Sequence, residues 1–226
     1  IDQDRIDNPG RSAIGTEETT GAGVRGARGE FDRDFVKAGY EFYAQRPWTA
    51  GVFFWTGFDY RGEPNPKEWP NTGSLYGLMD YCGYPKEEMW ELRGLWSGES
   101  ARALKAARRA EEPRLKAGQV ILKPHKTELV RDGQDIVVVD IFSNADSLEV
   151  SVYGAEFLGW GNGDPQFRHV ERPAPRQAGA SRDAARDPQS PNIFPFEGRA
   201  QLLVRSIEGS DGPVSVRVGS ADLLLR

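Results

Sequence analysis

The run Gly51-Val-Phe-Phe-Trp-Thr56 indicates the architecture of the first half of the chain. Its residues are apolar, aromatic or β-branched, and its length is that of a strand. A segment with helical spacing precedes it over residues 30–46, and Pro47 ends that segment. The apolar positions of the helical segment are Phe31, Phe35, Ala38 and Phe42. Because residues 11–17 have the pattern of another short buried strand, the sequence predicts strand, helix and strand in succession.

A polar loop and a further helix follow this unit. The loop contains the prolines Pro64, Pro66 and Pro70. The helix begins near Pro85, a residue suited to the first helical position, and its apolar face carries Met89, Leu92 and Trp96. This order is typical of the closing units of an α/β barrel. Residues 1–98 are therefore predicted to be the C-terminal strands and helices of a TIM (β/α)8 barrel.

The second half changes to the period of β-strands. Short runs rich in β-branched residues recur, and two of them alternate strictly between apolar and polar side chains. These runs cover residues 120–122, 136–142, 148–153, 200–204 and 214–218. Residues 118–226 are therefore predicted to form an immunoglobulin-like β-sandwich. The segment before them, 99–117, is rich in Ala, Arg and Glu and is predicted to be a linker with some helical character. The stretch 172–191 has few apolar side chains and predicts a mobile loop.

Composition excludes several classes of function. Of the 226 residues, 38% are hydrophobic, and no run approaches the roughly 20 apolar residues of a membrane span. The net charge of −5 argues against a nucleic-acid-binding surface. Cys82 is the single cysteine, so the chain cannot form an internal disulfide, and His125 and His169 lack the spacing of zinc ligands. We expect no cofactor and assign no metal ligand, and the sequence leaves metal dependence open. The first residue is Ile, so either a leader was removed or the chain is a piece of something longer.

The first hundred residues are acidic and rich in aromatic side chains. They hold five of the six tryptophans and 17 acidic against 11 basic residues, a net charge of −6. Carbohydrate sites combine flat apolar faces with carboxylates, but a large aromatic core would give the same composition. Both interpretations stay open on composition alone.

The segment Gly21-Ala-Gly-Val-Arg-Gly26 matches the G-x-G-x-x-G pattern of dinucleotide sites. In such sites the first glycine follows its strand at once, yet Glu17-Glu-Thr-Thr20 intervenes here. No second strand ends in an acidic residue about 20 positions further on. A flexible turn therefore explains these glycines better than a nucleotide-binding oxidoreductase does.

Two pairs of carboxylates follow the predicted strands. Glu17 and Glu18 lie at the C-terminal end of the first strand, and Asp59 and Glu63 follow the second strand. The C-terminal ends of the strands form the active face of an α/β barrel. A retaining glycosidase needs two carboxyl groups about 5–5.5 Å apart, one as nucleophile and one as acid/base. The alternative is structural: the same acids would pair with nearby arginines and cap loops.

Specific motifs then occur in a fixed order along the chain. They are Ile14-Gly-Thr-Glu17, Arg25-Gly26, Phe53-Phe-Trp-Thr-Gly-Phe-Asp-Tyr-Arg-Gly-Glu-Pro64, Gly73-Ser-Leu-Tyr-Gly-Leu-Met-Asp80 and Cys82-Gly-Tyr-Pro-Lys86. Together they resemble the end of the catalytic barrel in glycoside hydrolase family 2, with the closest likeness to its bacterial β-galactosidase branch. Asp132-Gly-Gln-Asp135 and Leu158-Gly-Trp-Gly-Asn-Gly-Asp-Pro165 resemble motifs of the C-terminal immunoglobulin-like domains of such enzymes. The resemblance implies a retaining hydrolase that removes a terminal β-linked sugar, first of all a β-galactoside.

The resemblance also implies roles for individual residues. Glu17, directly after Gly15-Thr16, corresponds to the nucleophile that attacks the anomeric carbon. Trp55 corresponds to an aromatic wall of the sugar site, where its indole would stack on a pyranose and its N–H could donate a hydrogen bond. Further residues implied to bind substrate are Asp59, Arg61, Tyr76 and Lys86. For Asp59 and Arg61, an ion pair behind the site explains the residues equally well.

Two features depart from the family pattern. The family acid/base is a glutamate preceded by asparagine on an earlier barrel strand, and this chain contains no Asn-Glu pair. The N-terminal sugar-binding domains and the first barrel strands are absent as well. We therefore expect a C-terminal portion whose partner is the remainder of the same enzyme, which carries the acid/base, and we expect no hydrolysis by this portion alone. The expected substrate is a β-linked oligosaccharide or a polysaccharide-derived sugar, and the resemblance leaves room for a homo-oligomer.

Two alternatives remain open at this stage. The same scaffold could act on a β-glucuronide or a β-mannoside. A non-catalytic module is the other alternative, in which Trp160 and the immunoglobulin-like domain grip a polysaccharide or a partner subunit. The resemblance suggests a periplasmic or secreted bacterial protein, and we expect no nucleic-acid or membrane partner.

Overall fold

The computed structural model describes residues 1–26, 34–63, 73–131, 134–162, 191–196, 198–207 and 212–225. The chain divides into two compact units, Ile1–Glu111 and Glu112–Arg226. No helix in these ranges is long and apolar enough to cross a membrane. The predicted loop at 172–191 lies outside the described residues, except for Pro191.

The first unit contains both helices and strands in its described ranges. In chain order these are α1 (Asp2–Asp7), β1 (Ala13–Thr19), α2 (Phe35–Ala44), β2 (Thr49–Trp55), β3 (Tyr60–Arg61), β4 (Gly73–Ser74), α3 (Glu87–Ser97) and α4 (Ala101–Glu111). Strands β1 and β2 pair in parallel, and the short strands β3 and β4 pair antiparallel.

The predicted succession of strand, helix and strand is present as β1, α2 and β2. Asp34 caps the helix, because its side chain accepts a hydrogen bond of 2.8 Å from the backbone N–H of Lys37. Gly39 allows a close approach of the helix to the sheet, since a Cβ there would lie 2.7 Å from Cγ of Glu18. A parallel strand pair with a helix against one face is a unit of α/β folds. The complete barrel stays a prediction.

The face of β1 and β2 that points away from α2 carries large apolar side chains. Ile14, Phe53 and Trp55 are 49%, 63% and 44% exposed. Residues two apart on a strand share a face, and Ile14 lies opposite Gly51 in the parallel register, so these side chains lie on one face. The described residues of the first unit therefore leave this face of the sheet exposed.

Helices α3 and α4 complete the described part of the first unit. Trp90 and Leu92 are buried on α3, which ends at Gly98 in the left-handed conformation. Helix α4 covers most of the segment 99–117, which the sequence predicts to be a linker with some helical character. Its Leu104 is buried, and its Lys105 pairs with Glu87 of α3, so this segment packs within the first unit.

In its described residues, the second unit contains two four-stranded antiparallel sheets. Its strands are β5 (Val120–Arg131), β6 (Gln134–Ser143), β7 (Leu148–Tyr153), β8 (Ala155–Gly161), β9 (Asn192–Ile193), β10 (Arg199–Ser206), β11 (Val214–Val218) and β12 (Ala221–Leu225). One sheet has the order β5-β6-β10-β8, and the other has the order β12-β11-β7-β9. The runs that the sequence predicts as strands all fall within these elements.

Side chains from both sheets form a single buried core, which makes this unit a β-sandwich. Val139, Ile141 and Leu202 come from one sheet, and Val216 and Val218 come from the other. The core includes the indole of Trp160, which is 1% exposed. A buried indole cannot stack on a polysaccharide, so the alternative that assigned sugar binding to Trp160 is wrong for this residue.

Truncation of Ile141 tests this core. We expect Ile141→Ala to lower the free energy of unfolding of the sandwich by about 2–5 kcal/mol, because it leaves a cavity at a fully buried position. Ile207→Ala is the control, since that side chain is 49% exposed. Denaturant unfolding followed by circular dichroism measures both variants. Equal stability losses for the two variants would contradict the assignment of Ile141 to the core.

Candidate active site

A cleft of about 370 Å³ opens at the C-terminal ends of β1 and β2. Strand β1 contributes two of its lining residues, strand β2 contributes one, and the segments after β2 contribute the others. The described lining consists of Glu17, Thr19, Trp55, Tyr60, Glu63 and Tyr76. The structure thus brings together three of the residues that the sequence assigned to the site: Glu17, Trp55 and Tyr76.

Glu17 and Glu18 are adjacent in sequence but point into different surroundings. The register of β1 against β2 shifts between Gly15 and Glu18, a β-bulge or irregularity of the parallel pair. The Glu18 side chain lies against α2 near Gly39, whereas Glu17 is exposed and lines the cleft. The position of Glu17 fits the predicted nucleophile, and the role itself stays a prediction.

Trp55 ends β2 and forms part of the cleft wall. Its indole N–H donates a hydrogen bond of 3.0 Å to the hydroxyl of Tyr60. The two rings meet edge to face, with centroids 5.7 Å apart and an angle of 81° between their planes. The Tyr60 hydroxyl in turn donates a hydrogen bond to Oε2 of Glu63. The indole N–H, predicted as a donor to sugar, is therefore already bonded to a tyrosine.

Asp59 and Lys86 form a buried ion pair behind the cleft, where they are 7% and 2% exposed. Nζ of Lys86 lies 2.6 Å from Oδ1 of Asp59 and also donates to the carbonyl of Leu75 at 2.9 Å. The backbone N–H of Gly77 donates to the same carboxylate oxygen at 3.0 Å. Neither charged side chain is among the described lining residues, so the ion-pair interpretation of Asp59 fits the structure better than contact with a sugar.

Burial raises the pKa of Asp59 from 3.8 to about 6, and the charge of Lys86 opposes that rise. Burial likewise lowers the pKa of Lys86, against the attraction of Asp59. The pair therefore holds two charged groups in a poorly solvated position, where each depends on the other for charge compensation.

Arg61 lies on the surface rather than in the described cleft lining. Its guanidinium carbon lies 5.1 Å from the centroid of the Tyr81 ring. Tyr76 does line the cleft, and its backbone carbonyl is held from two sides. It accepts a hydrogen bond of 2.5 Å from the Thr20 hydroxyl and one of 3.1 Å from the backbone N–H of Thr56. Tyr76 is thereby fixed to the segments that follow β1 and β2.

The glycine motif at 21–26 is a turn whose arginine is part of a second buried ion pair. Nε of Arg25 lies 2.7 Å from Oδ2 of Asp80, and the Arg25 guanidinium carbon lies 4.7 Å from the centroid of the Tyr84 ring. Gly21 and Gly26 adopt positive φ, as turn glycines do. Since residues 21–26 are not helical, they do not offer the strand-to-helix turn that a dinucleotide site requires.

Sequence reasoning missed Thr19 and Tyr60, and it considered Glu63 only as a possible carboxylate. Thr19 ends the same strand that carries Glu17, so its place in the pattern was visible. Tyr60 carried no signal of its own, because its role depends on a bond to Trp55 that periodicity does not encode. In the described part of the chain, no group of three or more His, Cys, Asp or Glu side chains could hold a metal ion.

Comparison with known proteins points to glycosidases. No family model matches the chain. A stretch of 48 residues is 42% identical to "Beta-galactosidase BoGH2A" of Bacteroides ovatus, covering 21% of this chain and 6% of that protein. A stretch of 117 residues is 26% identical to "Putative beta-glucuronidase" of Formosa agariphila, covering 51% of this chain and 10% of that protein. The sequence similarity supports a relationship to glycosidases of the family 2 type and does not select one enzyme.

Two solved structures of the β-glucuronidase of Parabacteroides merdae are also similar. One was solved with glycerol in its active site and gives a TM-score of 0.29 at 10% identity, covering 94% of this chain and 38% of that chain. The other gives a TM-score of 0.30 at 11% identity, covering 99% and 39%. This chain thus spans well under half of those solved chains, and its matches span a tenth or less of the two curated relatives.

Replacement of Lys86 tests the buried ion pair. We expect Lys86→Met to lower the free energy of unfolding by about 3–5 kcal/mol at pH 8, because it leaves the Asp59 carboxylate buried without a counter-ion. At pH 5 the loss should be much smaller. The folded pKa of Asp59 is already about 6 with Lys86 present, and removal of the lysine charge raises it further, so the carboxyl is then neutral in both proteins.

The direction of this pH dependence follows from the difference in proton binding between the folded and unfolded states. A carboxyl whose folded pKa lies above its unfolded pKa binds its proton more tightly in the folded state, so its contribution to stability falls as pH rises through that window. Denaturant titrations at pH 5 and pH 8 measure the difference. The double variant Asp59→Asn/Lys86→Met is the control and should show no such pH dependence. A Lys86→Met loss that is larger at pH 5 would contradict the assignment.

Proposed function

We infer that this chain is part of a retaining β-glycosidase that removes a terminal β-linked sugar. The substrate we propose first is a β-galactoside. The observation that carries this proposal is the shared cleft of Glu17 and Trp55 at the C-terminal ends of two parallel strands. The ordered motifs that resemble family 2 and the 42% identity to a β-galactosidase over 48 residues support the same proposal.

In the proposed reaction the Glu17 carboxylate attacks the anomeric carbon of the sugar. The bond from that carbon to the glycosidic oxygen breaks, and an acid donates a proton to the departing oxygen. The product of this step is a sugar ester of Glu17. Water, deprotonated by the same acid/base group, then displaces Glu17 and releases the sugar with its original anomeric configuration.

Trp55 serves as the apolar wall of the proposed sugar site. An indole presents a flat face to the C–H groups of a pyranose, while polar groups around it satisfy the hydroxyls. Tyr60, Glu63 and Tyr76 provide such polar groups in the described lining. The combination of one exposed aromatic ring and several oxygen atoms suits a polyhydroxylated ligand.

The acid/base and the completed barrel are proposed to come from the remainder of the same enzyme. The exposed apolar face of β1 and β2, with Ile14 and Phe53, supports this part of the proposal, since soluble proteins rarely leave such a face open to water. The sandwich of the second unit is proposed to be the immunoglobulin-like domain of such an enzyme. The resemblance leads us to propose a periplasmic or secreted bacterial protein.

A β-glucuronide is the second candidate substrate, favoured by the similarity to the protein of Formosa agariphila. The described part of the cleft lining favours a neutral sugar instead. The described lining residues include two carboxylates, Glu17 and Glu63, and they include no Lys or Arg. The carboxylate of a glucuronide would add a third negative charge, which like-charge repulsion disfavours.

A trapping experiment tests Glu17. A 2-deoxy-2-fluoro β-galactoside with a dinitrophenyl leaving group needs no proton from an acid, so the nucleophile alone can form the sugar ester. We expect the mass of the protein to rise by one fluorosugar, with the adduct on the peptide that contains Glu17. Glu17→Gln should abolish the adduct and lower kcat of the complete enzyme on the order of 10⁴-fold or more.

Glu18→Gln is the matched control, because it makes the same change one residue away on a side chain that lies against α2. It should keep the adduct. An adduct on another residue, or activity of the Glu17→Gln enzyme near that of the wild type, would refute the assignment of the nucleophile.

A further inference from the structure

Of the three aromatic side chains in the described cleft lining, Trp55 alone is exposed, so the orientation of its indole determines where a sugar ring can stack. That orientation is fixed at two points by the same neighbour. The hydroxyl of Tyr60 accepts the indole N–H at 3.0 Å. The edge of one ring also contacts the face of the other, at 5.7 Å between centroids and 81° between planes.

We propose that Tyr60 is a positioning residue that sets the plane of the Trp55 indole, and that Glu63 fixes the hydroxyl of Tyr60. A phenol has one proton to donate and two lone pairs that accept. The Tyr60 hydroxyl donates its hydrogen bond to Oε2 of Glu63, and one of its lone pairs accepts a hydrogen bond from the indole N–H of Trp55. With its proton committed to a carboxylate, the hydroxyl must face Trp55 as an acceptor.

Tyr60 can act as an anchor because its own backbone is held firmly. It lies on β3 and pairs with Ser74 of β4. The hydroxyl of Tyr81 donates to its carbonyl at 3.4 Å. The preceding residue, Asp59, forms the buried ion pair with Lys86. A side chain that projects from such a segment starts from a fixed backbone position, so the Tyr60 hydroxyl is presented to the Trp55 indole at a defined point.

The hydrogen bonds of the Tyr60 hydroxyl also determine what kind of ligand group can bind to it. One lone pair of the Tyr60 hydroxyl remains after its bonds to Glu63 and Trp55. A ligand group that binds there must therefore donate a hydrogen bond, as a sugar hydroxyl does. This consequence rests on the proposed function, whereas the positioning of Trp55 by Tyr60 does not.

The indole N–H resonances of this chain provide the test. We expect Tyr60→Phe to keep the fold, to shift the Trp55 indole N–H resonance upfield and to make its exchange with solvent roughly fivefold faster, the factor for a hydrogen bond of about 1 kcal/mol. Trp55→Phe identifies the resonance. Glu63→Ala should broaden or shift the same signal, and Glu63→Gln should preserve it, because its amide oxygen still accepts from the tyrosine hydroxyl.

Tyr153→Phe is the matched control, since it removes a hydroxyl from an exposed tyrosine of the sandwich and should leave the Trp55 signal unchanged. In the complete enzyme, Tyr60→Phe should lower kcat/KM for p-nitrophenyl β-galactoside by a similar factor. An unchanged Trp55 resonance in Tyr60→Phe would overturn the proposal whatever the enzyme does. A shifted resonance, together with a complete enzyme that cleaves no β-glycoside, would support the positioning role and refute the proposed function.

Discussion

The buried ion pair of Asp59 and Lys86 is the interaction on which the described site depends. It joins the segment after β2 to the segment before α3, two parts of the chain that are 27 residues apart. Asp59 also holds the backbone N–H of Gly77, and Lys86 holds the carbonyl of Leu75. The residue between them, Tyr76, is thereby presented to the cleft. Two charges outside the described cleft lining thereby fix the position of a side chain that lines it.

Strand geometry accounts for the other half of the site. The irregular register of β1 separates two adjacent glutamates, so that Glu17 lines the cleft while Glu18 lies against α2. Trp55 reaches the same cleft because it ends the neighbouring parallel strand. Parallel strands bring their C-terminal ends to one edge, which is why residues nearly 40 positions apart can serve a single site. The loops then add Tyr60 and Glu63 around the indole.

The sequence allowed much of the fold to be predicted, because periodicity reports which face of an element is buried. The parallel unit of β1, α2 and β2 and the strands of the sandwich follow from that signal. The segment 99–117 was harder, since a charged helix such as α4 with one buried leucine, Leu104, has the composition of a linker. The site was predicted only in part. A charged residue in a loop looks the same whether it faces a substrate or a buried partner, and Asp59 and Lys86 are in the second situation.

The exposed face of the β1–β2 sheet unites a physical requirement with a chemical one. Ile14 and Phe53 lie on the same face as Trp55. Their apolar side chains would stabilise the folded protein only if other side chains covered them and removed them from water. A retaining mechanism that starts from Glu17 needs a second carboxyl group about 5–5.5 Å from the first. Under the proposed function, the other strands of a barrel would meet both requirements, because they would enclose the apolar face and end at the same edge as Glu17. Stability and catalysis would then depend on the same neighbouring strands.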